Sequence, residues 1–107
     1  MNARIKIKPL SVNRCWQGRR FKTKEYIEYE KEMMLMLPKC KMEKGVPLCV
    51  RITLWIDQRA DIDNPIKPIL DILQKKYGFN DRDIMTLTVN KIVQKSKKDN
   101  YIEIEIC

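Results

Sequence analysis

The chain has no histidine, three glycines and 7% aromatic residues among 107. Without an imidazole, mechanisms built on a histidine base are excluded, from Ser-His-Asp triads to nucleases with a histidine-held metal. The four cysteines, Cys15, Cys40, Cys49 and Cys107, include no CxxC pair. With no histidine beside them, that spacing matches no zinc pattern and predicts reduced thiols. The longest apolar run is Met33 to Leu37, against the roughly 20 residues that span a bilayer. The opening MNARIKIKP alternates charge with isoleucine and lacks the apolar stretch and cleavage site of a signal peptide. These absences predict an intracellular, cytoplasmic protein. A chain of this length forms one domain, residues 1–107, without a disulfide or metal staple.

Acid is missing from the first 24 residues. They hold eight cations (Arg4, Lys6, Lys8, Arg14, Arg19, Arg20, Lys22 and Lys24), whereas five of the seven aspartates fall between positions 61 and 83. The net charge is +8. A basic arm of this density suits a polyanion through phosphate contacts and counterion release, and it is equally the pattern of a solvated, solubilising face. Trp16 and Phe21 stand among Arg14, Arg19 and Arg20. Aromatics so placed either stack on unpaired bases or pack back on the sheet.

Periodicity divides the chain into six elements. Arg4 to Pro9 alternates Ile5 and Ile7 with charge and reads as a strand ending at Pro9, followed by a loop over residues 10–23. Thr23 caps a helix with Tyr26, Ile27, Glu30, Met33, Met34 and Leu37 at helical spacing, stopped by Pro38. The clearest strand is PLCVRITLWID, with Leu48, Val50, Ile52, Leu54 and Ile56 on one face. Asn64 is placed as an N-cap and Pro65 as the first residue of a second helix. Its apolar face is Ile66, Ile69, Leu70 and Leu73, and it ends near Tyr77-Gly78. Pro68 favours a start one turn later. Ile84 to Val93 and Tyr101 to Ile106 read as an antiparallel pair joined by a turn at Lys97-Lys98-Asp99-Asn100. The order is β-α-β-α-β-β, an α+β fold with a mixed sheet and two helices.

Asp61 and Asp63 sit two apart in a segment read as extended, which points both carboxylates the same way. Asp81 follows the second helix. A 12-residue helix is about 18 Å long, so Asp81 joins the others only if the chain from Gly78 doubles back. Clustered carboxylates are held together by a shared proton, a lysine or a cation, and hard oxygen donors favour Mg2+, with Mn2+ as a substitute. Lys67 is placed to neutralise such a site or to offset charge on a phosphate, and Asp71, four residues on, to pair with it. The plain alternatives are an Asx turn, a cap and a surface ion pair.

The run DIDNPIKPILDIL from Asp61 to Leu73, then GFNDRDI from Gly78 to Ile84, resembles the core signature of the RusA family of Holliday junction resolvases. That signature has the form D-x-D-N-x-x-K-x-x-x-D-x-L followed by a Gly-led turn with paired acids. PLSVNRCW, residues 9–16, resembles the family's opening P-x-S-x-N segment. The resemblance implies a homodimeric, Mg2+-dependent endonuclease that nicks a four-way DNA junction in pairs, the kind of enzyme frequent in phages. It places the metal on Asp61, Asp63 and Asp81 and the catalytic lysine at Lys67. Asn80-Asp81 stands where the family usually has Asp-Asp, which leaves Asp81 as the retained acid. DNA contacts are expected from Asn13, Arg14, Arg19, Arg20, Lys22 and Lys24. A nuclease for other branched or flap DNA, and a junction-binding protein without turnover, are the competing readings.

Overall fold

The computed structural model describes residues 1–95 and 99–107. In chain order the strands and helices are β1 (Asn2–Lys6), β2 (Trp16–Gln17), β3 (Phe21–Lys22), α1 (Lys24–Met36), β4 (Leu48–Ile56), α2 (Ile66–Tyr77), β5 (Ile84–Val93) and β6 (Tyr101–Ile106). The fold is α+β. Four strands form a mixed sheet in the order β1-β6-β4-β5, and β2 pairs with β3 in a small separate hairpin.

β4 takes an inner place because its alternation is complete. Leu48, Val50, Ile52, Leu54 and Ile56 are all buried, and each contributes about 1.5–3 kcal/mol by leaving water. Ile102, Ile104 and Ile106 of β6 continue that buried layer beside it. Ile69, Ile72 and Leu73 of α2, with Tyr26, Tyr29 and Met33 of α1, complete the same core. No helix among the described residues is long and apolar enough to cross a membrane. All four cysteines are free thiols.

Several expectations need correction. β5 and β6 run in opposite directions but do not pair, because β4 lies between them. A parallel neighbour requires a long crossover, and the 57–83 connection carrying α2 provides one, which places β5 beside β4 and at the sheet edge. Of the expected turn Lys97-Lys98-Asp99-Asn100, Lys97 and Lys98 lie outside the described residues. β1 ends at Lys6, not Pro9, since its partner strand begins at Tyr101. In α1, Ile27 is 54% exposed and Tyr29 takes the place assigned to it. The buried set 26, 29, 33 and 37 keeps a 3-4-4 spacing that residue 27 cannot share. The Thr23 hydroxyl does accept the Tyr26 N–H at 3.1 Å. Asn64 caps nothing. α2 begins at Ile66 after Pro65, and Pro68 is tolerated because its missing N–H falls in the first turn, where no intrahelical acceptor exists.

Candidate functional site

α2 carries Lys67, Asp71 and Gln74 at i, i+4 and i+7, so they form one stripe along the helix. Lys67 Nζ lies 3.0 Å from Asp71 Oδ1 and 4.0 Å from Asp81 Oδ2. The return of Asp81 to the helix has a local cause. Gly78 ends α2 with φ 74°, the left-handed conformation that glycine adopts at least cost. Phe79 then buries its ring, and the Asn80 side chain caps a 3-10 turn, Asp81–Asp83, by accepting the Arg82 N–H at 3.0 Å. The Asp81 N–H donates to Gln74 Oε1 at 3.0 Å. Position 74 is about 10 Å along the axis from position 67, and the lysine side chain spans the remainder. The turn thus folds back along α2 far enough to set Asp81 beside Lys67.

Lys67 is polarised by this setting. The Asp71 hydrogen bond and then its charge hold the ammonium above the ordinary lysine value, with Asp81 adding to the same direction. A group so placed remains a cation across neutral and mildly alkaline pH.

Asp63 and Lys67 line one cleft of about 380 Å3, walled by Ile62, Ile66, Leu70, Leu87 and Val89. Residues 62–65 form a bend and a turn in place of the extended segment expected there. Asp61 Oδ2 accepts the Asn64 Nδ2–H at 2.9 Å, and the Ile66 N–H donates to the Asp63 carbonyl at 3.1 Å. The Val12 N–H donates to the Asn64 carbonyl at 2.9 Å, which ties the basic arm to this bend. Thus Lys67 meets Asp71 and Asp81 directly and shares a wall with Asp63, while Asp61 is held one turn earlier. Among the described residues no three carboxylates or thiolates converge into a metal cage. The donor chemistry nevertheless fits Mg2+, because this ion keeps several waters and is usually held by one or two carboxylates together with substrate phosphate.

The basic arm is built rather than plain loop. A 3-10 turn, Val12–Arg14, leads into the β2–β3 hairpin, whose Trp16↔Lys22 and Gln17↔Phe21 pairs set its faces. Asn13, Arg19, Arg20 and Lys24 are exposed, and Arg14 pairs with Glu25 at 3.8 Å. Lys22 is partly withdrawn from any ligand. Glu30 Oε2 binds its ammonium at 2.9 Å, and Glu30 Oε1 binds Lys75 at 2.6 Å. Burial pushes the Glu30 carboxyl up, and the two lysines more than reverse this, leaving it below its ordinary value. The Lys22-Glu30-Lys75 bridge and the role of Gln74 escaped sequence reasoning. Gln74 had a signal, its i+7 spacing from Lys67; Glu30 had none, since its partners lie 8 and 45 residues away.

No family model matches this chain, and no curated protein matches it either.

Proposed function

We propose that the chain is a Mg2+-dependent, structure-specific endodeoxyribonuclease of the RusA type, which resolves four-way DNA junctions by paired nicks. The observation that carries this reading is the return of Asp81 to Lys67. It joins the two halves of the motif, 61–73 and 78–84, around one ammonium group.

Asp61, Asp63 and Asp81 would hold the ion. When bound, Mg2+ supplies a Lewis acid for a phosphate oxygen and lowers the pKa of an attacking water. Lys67 offsets negative charge that builds on the scissile phosphate, and Asp71 keeps that lysine protonated and aimed. Gln74 positions Asp81 through its backbone N–H. The basic arm grips the phosphates of the junction, tethered to the site through Val12 and Asn64.

A second copy of the chain is the proposed partner, and β5 supports it. This edge strand has one charged side chain in ten, Lys91, whose ammonium is already bound to the Gln58 and Ala60 carbonyls. Met85, Leu87, Ile92 and Val93 are exposed along it. A chain of net charge +8 repels its own copy except across such a neutral stripe, and an uncapped neutral edge invites antiparallel pairing.

The test is cleavage of an end-labelled four-way junction, with duplex and flap controls, alongside sedimentation of the same sample. Paired nicks requiring Mg2+ or Mn2+, absent with Ca2+ or chelator, and a dimer mass are expected. Full activity in excess EDTA would remove the metal, and a monomer would remove the β5 partner.

A further inference from the structure

Phe21 is 73% exposed, against 41% for Trp16 in the same hairpin. The hairpin register explains the difference. Residues paired across two strands share a face, so Trp16 lies with Lys22 and Phe21 with Gln17. The first face is anchored: the Trp16 ring meets the Tyr26 ring edge-on at 5.8 Å, the Lys22 ammonium sits 5.3 Å from the Tyr26 ring, and Glu30 holds that ammonium. The second face therefore points away from the body, and Phe21 has no packing duty.

The hairpin that presents Phe21 is fixed at its base. The Thr23 N–H donates to the Cys15 carbonyl at 2.9 Å, and the Thr23 hydroxyl donates to the Arg14 carbonyl at 2.6 Å. At its tip, Gly18 adopts φ 69° and turns the chain into Arg19 and Arg20. Both arginines are exposed, and neither has an ion-pair partner among the described residues. The 3-10 turn that leads into the hairpin packs against α2, and its Val12 N–H donates to the Asn64 carbonyl at 2.9 Å.

We propose that Phe21 is a stacking platform for an unpaired nucleobase, with Arg19 and Arg20 holding the flanking phosphates. A single ring set among cations lacks the contiguous apolar area that a protein partner needs. A base has a π-face for the ring and a phosphate on each side for the guanidinium groups, and stacking of this kind tolerates any base. A pre-built finger also binds at a small entropic cost, because its backbone is already ordered. The proposal rests on the DNA reading above only for the identity of the polyanion, and it assigns to the hairpin the task of sensing unpaired positions.

The probes are a four-way junction and a single strand carrying 2-aminopurine, with a fully paired duplex as control, titrated in Ca2+ so that cleavage plays no part. Phe21→Ala, a surface change that leaves the core intact, is expected to lose the fluorescence quench and to weaken branched and single-stranded binding by roughly five- to a hundredfold. Duplex affinity should change by less than about twofold, and Phe21→Trp should restore the quench. Equal loss on duplex and branched DNA, or an unchanged quench in Phe21→Ala, would overturn the proposal. So would insertion of the hairpin into anionic phosphatidylserine vesicles without any effect of Phe21 on 2-aminopurine. A chain that never cleaves but shows a Phe21-dependent quench would keep this inference and sink the nuclease reading.

Discussion

Asp63→Asn is expected to lower single-turnover cleavage of a four-way junction by about a hundredfold or more, while junction binding is kept or tightened. The first effect follows from the loss of a carboxylate that lines the same cleft as Lys67, since one electrostatic group in a catalytic site is worth that order in rate. The second follows from the proposed DNA reading, in which this carboxylate would face phosphates and its removal would relieve repulsion. Asp61→Asn should behave alike, with one difference. Its Oδ2 accepts from Asn64, and an amide turned nitrogen-first would lose that bond, so the bend itself would loosen. Rate and affinity measured on the same preparations separate the outcomes. A variant of Asp63 that cleaves normally would take the carboxylate out of the chemistry.

Lys67→Ala and the double change Arg19→Ala, Arg20→Ala are expected to fail in opposite ways. Losing Lys67 should cost about a hundredfold in the rate of the saturated complex with little change in affinity, because the role proposed for its charge lies in the transition state. Losing the two arginines should weaken binding to every DNA form and flatten its salt dependence by roughly 0.9 in log-log slope per phosphate contact removed. Lys22 is left in place because Glu30 holds it. The pH behaviour of Lys67 has a definite sign. Its folded value lies above the ordinary 10.5, so the ion pair is complete below that value and fades only as pH rises through the folded one. Turnover near neutral pH therefore owes no inflection to this lysine. A salt titration beside single-turnover rates checks both variants, and an unchanged slope in the double arginine variant would mean that the hairpin points away from DNA.

Much of this arrangement was legible in the sequence, where period and caps were strong. The β4 alternation, the Thr23 cap and the Gly78 stop are local signals, and each acts within a few residues. Strand adjacency is not local. Nothing within Ile84–Val93 or Tyr101–Ile106 says that β4 will separate them, and the short connection between them suggested a hairpin that the α2 crossover overrides. The site divides the same way. Lys67 and Asp71 announce their pairing by spacing, whereas the approach of Asp81 depends on Gly78, the buried Phe79 and the Gln74 contact acting together. The segment after Asp61 bends at residues 62 and 63, and the Asn64 side chain donates to Asp61 and does not cap α2.

The central claim is that Lys67 and Asp81 belong to one catalytic site. Asp83 lies two residues further on in the same 3-10 turn, and among the described residues no ion pair reaches it. Single-turnover cleavage of a labelled four-way junction by Asp81→Asn and Asp83→Asn, side by side in Mg2+, is the most direct measurement. The account predicts that Asp81→Asn binds the junction and does not cut it, while Asp83→Asn cuts at close to the unmodified rate. An inactive Asp83→Asn beside an active Asp81→Asn would contradict it.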